Sequence, residues 1–213
     1  MVIIISHLIN VIRKNEQKTH SWSGGKTTQL AIYPEGANYQ DFNFQWRIST
    51  ATVEDEHSLF TPLPGFRRVT MVLEGEMYLK HKGHRCKHLS PFEQDCYRGD
   101  WITQSTGKVK NFNLMMATDE VTGKVKHLVI DKSSCIKILT DKNNIQRAQI
   151  SEILYCLTGN LNVVVDGTGS IVLREGDLLI LHRKNSPQIV NIELYNFDKI
   201  TTEVIRTSIF YKE

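Results

Sequence analysis

No CxxC pair occurs in the chain. Its four cysteines, Cys86, Cys96, Cys135 and Cys156, are too few across 213 residues to form a disulfide scaffold. Charge of neither sign dominates: 26 basic residues are scattered among 23 acidic ones, for a net +3, which excludes a nucleic-acid stripe and a membrane-surface helix. The opening MVIIISHLINVI is apolar but too short to span a bilayer. It also lacks a basic leader and a small-residue cleavage site, and so reads as a first strand or strand pair. The expected location is the cytoplasm, with reduced thiols. Chemical signatures are missing too. There is no GxSxG elbow and no cysteine motif that marks an activated thiol. GGKTT at 24–28 lacks the GxxxxGK[ST] spacing of a phosphate loop and runs into QLAIY, a strand pattern. Nowhere does a long stretch keep a helical apolar period with a clear cap, and residues 143–154 offer only a short helix.

What is present is a globular composition, 40% apolar and 23% charged, and a duplication. LEGEMYLKHKG at 73–83 and LTGNLNVVVDG at 157–167 share a frame offset by 84 residues, placing Leu73 with Leu157, Gly75 with Gly159 and Gly83 with Gly167. A further match sets Arg98-Gly99-Asp100 against Glu175-Gly176-Asp177. Val69, Met71 and Leu73, like Ile153, Tyr155 and Leu157, alternate with period two, the mark of half-buried strands. Lys82-Gly83 and Asp166-Gly167 are hairpin-type dipeptides. Turn signals recur at Ser23-Gly24-Gly25, Pro34-Glu35-Gly36, Pro62-Leu63-Pro64-Gly65 and Thr122-Gly123. Many short strands and one internal duplication predict an all-β chain of two similar barrels. We divide it at TDEVTGKVK, with 1–120 as the N-terminal barrel, including the N-terminal strands, and 121–213 as the C-terminal barrel, packed as one compact unit.

The order strand, "LEG", strand, "GD", strand resembles a cupin, a small jelly-roll barrel, and implies a bicupin. Metal-binding cupins place HxH shortly before a Glu that stands seven residues before this glycine. Here that position is Arg68, and the histidine slots fall on Pro62 and Pro64, or Thr61 and Leu63, with Ile102 in the last. The second copy has Glu152 but only Gln146 and Ala148, or Ile145 and Arg147. Neither half supplies the three ligands a catalytic zinc or iron needs, so no metal and no cofactor is expected. Glu152 is expected to pair or cap.

On a strand Arg68, Thr70, Val72 and Glu74 share one face, which the cupin resemblance places inside the barrel. A guanidinium there suits a bound carboxylate; the alternatives are an internal pair with Glu54, Glu74 or Glu76, or an exposed arginine. In HKGHRCKH, His84, Cys86 and His88 alternate near His81, a set that zinc could use but that reads as an exposed rim. His57 reads as a loop residue. Asn111 and Asn113 alternate with large apolar groups, and need either loop backbone or a ligand.

SWSGGKTTQLAIYPEG, FQWRISTATVE, LFTPLPGFRRVTMVLEG, YRGD and NFNLMMA, in this order, resemble the HutD/Ves family of cupin-like proteins over roughly residues 20–118. The family pattern corresponds to Trp46-Arg47, Phe60, Pro64, Gly65 and Arg68, Gly99-Asp100, and Phe112, Asn113 and Met115, with Arg67 where the family often has an acid. The resemblance implies a sensor or regulator linked to histidine utilisation, with small carboxylates such as N-formylglutamate or urocanate as ligands. Arg68 would clamp the carboxylate, aided by Arg47, while Asn113 and Thr70 orient it and Phe60 and Trp46 form walls. Partners are then a small anionic metabolite and a second copy in a homodimer, not nucleic acid or membrane. Two alternatives stay open: a metal-independent isomerase or lyase, with Glu54, Glu74 or a histidine as base facing Arg68, and a structural or partner-binding protein with filled barrels.

Overall fold

The computed structural model describes residues 7–139, 149–166, 169–184 and 189–211. Among them the only helical segment is a 3-10 turn at Lys14–Glu16; the rest is strands and turns. The strands are β1 (His7–Ile12), β2 (Lys18–Trp22), β3 (Gly25–Tyr33), β4 (Trp46–Val53), β5 (His57–Leu59), β6 (Phe66–Glu74), β7 (Met77–His81), β8 (Arg85–Leu89), β9 (Gln94–Arg98), β10 (Thr103–Thr106) and β11 (Val109–Ala117). They continue as β12 (Val121–Ile130), β13 (Ser134–Leu139), β14 (Gln149–Thr158), β15 (Asn160–Val165), β16 (Ser170–Arg174), β17 (Leu178–Lys184), β18 (Asn191–Asn196) and β19 (Thr202–Tyr211).

Two compact units result, Gln17–Val121 and Met1–Glu16 with Thr122–Glu213. In the first, a six-stranded sheet ordered β2-β3-β4-β11-β6-β9 accompanies a four-stranded one, β5-β10-β7-β8. The second has β1-β17-β14-β19-β12 and β13-β18-β15-β16. Each unit buries a core between its two sheets. Val53 and Val72 meet Met77, Leu79 and Leu89 in one, and Leu154 and Leu179 meet Leu161, Val163 and Ile192 in the other.

The duplication is structural. Gly75 ends β6 and Gly159 ends β14 with φ of 81° and 75°, a left-handed conformation that disfavours side chains. A β-carbon on Gly75 would sit 2.6 Å from the Lys108 carbonyl oxygen, and one on Gly159 2.6 Å from the Thr202 hydroxyl. Both glycines therefore serve conformation and close approach together. Gly83, with φ of 79°, turns the β7–β8 hairpin as expected; Gly167 lies outside the described residues.

Two expectations need correction. Gln149–Thr158 is a strand rather than the end of a short helix, and 143–148 fall outside the described residues. Both faces of β14 are buried from Ile150 to Cys156, so polar residues do not mark out its alternation. The N-terminal strand also belongs elsewhere. β1 pairs antiparallel with β17, from His7 opposite Arg183 to Ile12 opposite Leu178, so it joins the C-terminal unit rather than the first barrel. Ile9 and Val11 pack on that unit's core. Asp177 then fixes the following residues, accepting from Arg13 Nη1 at 2.7 Å and from the Lys14 N–H at 3.0 Å.

Candidate functional site

Register alone assembles a polar band inside the first barrel. β4, β11, β6 and β9 align Arg47, Met115, Arg68 and Tyr97 in one row, and Ser49, Asn113, Thr70 and Asp95 in the next. Because side chains alternate, these two rows share a face. On either side the same face turns apolar. Phe66, Leu63, Phe44 and Met115 form one cluster, and Val72, Val53, Val109 and Leu79 the other. A strip of arginine, amide and hydroxyl groups thus lies between two apolar layers.

Arg68 is the least satisfied member. It is only 8% exposed. Its guanidinium lies over the Phe60 ring at 4.9 Å and the Tyr97 ring at 5.7 Å. One long hydrogen bond, 3.3 Å, runs from Nη1 to the Thr61 carbonyl, and the buried Nε has no hydrogen-bond partner. No carboxylate among the described residues pairs with it. Glu54 is exposed, Glu74 bonds Lys110 and Glu76 bonds His88. An unsatisfied buried donor costs about 1–3 kcal/mol.

Arg47 sits in the same row, 5% exposed. Its Nε donates to Gln29 Oε1 at 2.8 Å, Nη1 donates to Ser49 Oγ at 3.2 Å, and its guanidinium lies 4.5 Å from the Tyr39 ring centre. Burial pushes its pKa below the ordinary arginine value; Tyr39 opposes this, and repulsion from Arg68 adds to it.

The hydroxyls and amides form a one-way chain. Thr70 donates its only proton to Asn113 Oδ1 at 3.0 Å, so at its 3.1 Å contact with Tyr97 the phenol must be the donor. Asn113 Nδ2 in turn donates to Asn111 Oδ1. Burial raises the Tyr97 pKa, against the opposing pull of Arg68 and the Thr70 hydrogen bond, which keeps the phenol a neutral donor. The chain consumes both amide oxygens and leaves N–H groups of Asn113 and Asn111 uncommitted. Beside Arg68 the lining is therefore rich in donors.

Of the residues expected at the site, Arg68, Arg47, Asn113, Thr70 and Phe60 come together, and Trp46 does not. Trp46 is fully buried on the opposite face of β4, stacked on Tyr33 at 5.6 Å. Neighbours along a strand point to opposite faces, so Trp46 and Arg47 cannot line one pocket. Tyr97, Asp95, His81 and Thr61 join the site or border it without a local sequence signal. Tyr97 stands in the YRGD string and alternates with Asp95, but its place beside Arg68 depends on cross-strand register.

Next to this band lies a second buried network. His81 Nε2 meets Asp95 Oδ2 at 2.9 Å, and its Nδ1 meets Thr103 Oγ1 at 2.8 Å. Arg85 Nη2 donates to the other Asp95 oxygen at 2.6 Å. His81 thus faces inward, away from the exposed Cys86 and His88, while His84 stacks on Trp101 at 3.9 Å. Among the described residues no group of three or more His, Cys, Asp or Glu is arranged to hold a metal.

The second barrel treats the equivalent position differently. Glu152 is fully buried and accepts from Arg206 Nε and Nη2, each at 3.0 Å, and from Ser208 Oγ at 2.8 Å. The pairing expected for Glu152 is therefore present. Gln146, Ala148, Ile145 and Arg147 lie outside the described residues.

Comparison with solved structures places this fold. A conserved protein of unknown function from Pseudomonas aeruginosa PAO1 superposes with a TM-score of 0.78 at 20% identity, over 95% of this chain and 98% of that one. HutD from Pseudomonas fluorescens SBW25, from a formate condition, gives 0.70 at 18% identity, over 97% and 100%. The Escherichia coli pirin YhhW, in complex with nickel(II), gives 0.66 at 11% identity, over 94% and 98%. These likenesses establish the bicupin architecture. The HutD family profile matches residues 14–195, and the chain belongs to the HutD family.

Proposed function

We propose that the first barrel binds a small carboxylate without metal, and that the protein senses or regulates a step linked to histidine utilisation in the cytoplasm. One observation carries this reading: the buried Arg68 guanidinium, with an unpartnered Nε and no acid among the described residues paired with it. A carboxylate is the planar, anionic, acceptor-only group that fits such a fork. Arg47 adds a second positive charge, Asn113 and Asn111 supply further donors, and Phe60 backs the guanidinium. A charge-assisted contact of this kind contributes roughly 1.5–3 kcal/mol.

Binding is favoured over turnover by the state of the bases. Both ring nitrogens of His81 are engaged, and Glu54 and Glu74 are exposed, so none of them stands ready beside Arg68. The test is a thermal-shift screen of formate, glutamate, urocanate and N-formylglutamate against wild type and Arg68→Ala. A ligand at about a hundredfold its dissociation constant adds roughly 2.7 kcal/mol, about 5–10 °C for a chain of this size. A shift with one acid that vanishes in the variant supports the reading; equal shifts in both proteins, or none in either, overturn it.

A further inference from the structure

Asp95 is the acid best placed to destroy the site. It faces the barrel interior on β9, 6% exposed, directly opposite Thr70. Arg68 stands opposite Tyr97, two residues along the same face. Diagonal neighbours of this kind have Cα atoms about 7–8 Å apart, within reach of an arginine side chain. A carboxylate there would be expected to swing onto Arg68 and neutralise it, yet no such pair forms.

Both oxygens of Asp95 are held elsewhere: Oδ2 on His81 Nε2 at 2.9 Å and Oδ1 on Arg85 Nη2 at 2.6 Å. The two clamps are themselves fixed. His81 is anchored through Nδ1 to Thr103 and packs at a tilt against Tyr97, ring centres 4.5 Å apart. Arg85 also donates to the Cys96 carbonyl at 2.7 Å and lies over the Trp101 ring at 5.4 Å.

We infer that His81 and Arg85 act as positioning residues that sequester Asp95 and so keep Arg68 open to an external carboxylate. This inference rests on the reading of Arg68 as a carboxylate clamp. A bound ligand then competes only weakly with an internal one, and the tightness of the Asp95 clamp sets the apparent affinity. If loosening the clamp lets Asp95 occupy Arg68 for about nine-tenths of the time, the apparent dissociation constant rises about tenfold.

Arg85 is the side chain to change, because it is 44% exposed and its loss opens no core. The first readout needs no ligand. In protein with 15N-labelled arginine, the Arg68 Nε–Hε resonance, assigned by its absence in Arg68→Lys, reports whether a carboxylate has docked. In Arg85→Gln it should move downfield with slowed hydrogen exchange. Adding Asp95→Asn should return it to the wild-type position, and Arg85→Lys should leave it near wild type. The second readout is calorimetric titration with N-formylglutamate and formate. Here Arg85→Gln should weaken binding about tenfold, and Arg85→Gln with Asp95→Asn should recover it. An unmoved Arg68 resonance in Arg85→Gln overturns the inference, even if wild type binds both acids. A moved resonance that Asp95→Asn restores sustains it, even if wild type binds neither acid and the proposed function fails. Should Arg85→Gln not fold, Asp95→Asn alone decides: retained or tighter binding with an unchanged Arg68 resonance supports sequestration, and lost binding refutes it.

Discussion

Replacing Arg68 with methionine should leave the unliganded protein as stable as wild type, or more so, while abolishing carboxylate binding. The side chain is 8% exposed and its Nε has no partner, a deficit of about 1–3 kcal/mol that methionine does not carry. Repulsion between Arg68 and Arg47, one of the influences lowering the Arg47 pKa, is relieved as well. Against these gains stand the packing on Phe60 and Tyr97, worth about 0.5–2 kcal/mol as cation–π contacts. The 3.3 Å bond to Thr61 adds at most about 1 kcal/mol. Methionine keeps much of the apolar volume, so the balance falls between no change and a gain of about 1–2 kcal/mol. That corresponds to an increase in Tm of roughly 0–8 °C. Differential scanning calorimetry on ligand-free wild type and Arg68→Met, followed by urea unfolding at 25 °C, measures it. A loss of more than about 2 kcal/mol would mean that the native arginine is a satisfied structural tie. In that case the case for a vacant clamp fails, whatever the screen of acids shows.

Further tests lie in the second barrel and the cysteines. Arg206→Ala strands the fully buried Glu152 and should destabilise the protein by about 3–5 kcal/mol in urea unfolding, far more than Arg68→Met. Burial of Asp177 would raise its pKa, but N–H donors from Arg174, Arg13 and Lys14 outweigh this and hold it below the usual carboxylate range. A depressed folded value contributes stability that is present above about pH 4 and fades as pH falls through the lower folded value. Asp177→Asn should therefore flatten the acid limb of a stability-against-pH curve and speed hydrogen exchange in β1. Burial, with Asp177, Glu175 and Asp198 nearby, pushes the Cys156 thiol up to about 12. With Ellman's reagent at pH 8, the exposed Cys86 and Cys135 should react promptly, Cys96 more slowly because burial raises its thiol pKa, and Cys156 only on unfolding.

How much of this was legible in the chain follows from which interactions are local. The turns at Gly75 and Gly159 and the division of β6 into two faces could be read because period-two alternation and left-handed glycines are properties of a few consecutive residues. That the Arg68 face is the inward one came from the cupin resemblance, since both faces of β6 are buried. The same rule, applied strictly, would have separated Trp46 from Arg47 at once. Family position grouped them, and strand geometry divides them. Tyr97, Asp95 and His81 could not be placed by pattern. Tyr97 comes beside Arg68 through the pairing of β6 with β9, and His81 meets Asp95 from β7 in the other sheet, so each contact depends on register or on how the two sheets face. β1 joins the C-terminal barrel rather than the one that follows it in the chain, for a related reason. Nothing in HLINVI tells which sheet edge needs a strand, and β17 supplies that edge from the far end of the chain.

The two barrels can be compared at the positions the duplication equates. Arg68 in β6 and Glu152 in β14 differ by the same 84 residues as Gly75 and Gly159. Across the neighbouring strand, Asn113 stands opposite Thr70, and Arg206 opposite Leu154, which is the counterpart of Thr70. The second barrel therefore holds a carboxylate at the position where the first holds a guanidinium. It meets that carboxylate with an arginine at the site equivalent to Asn113, and Ser208 completes the coordination. All three residues of that network belong to the chain, and the core residue Leu181 stands opposite Glu152. In the first barrel a guanidinium takes the carboxylate's place, an amide takes the arginine's, and the one nearby acid is held away. A bidentate guanidinium–carboxylate pair is therefore structural in one barrel and, on the proposed reading, is completed by a ligand in the other. The folding contact of one barrel and the proposed binding site of the other therefore differ at both members of the pair, Glu152 against Arg68 and Arg206 against Asn113.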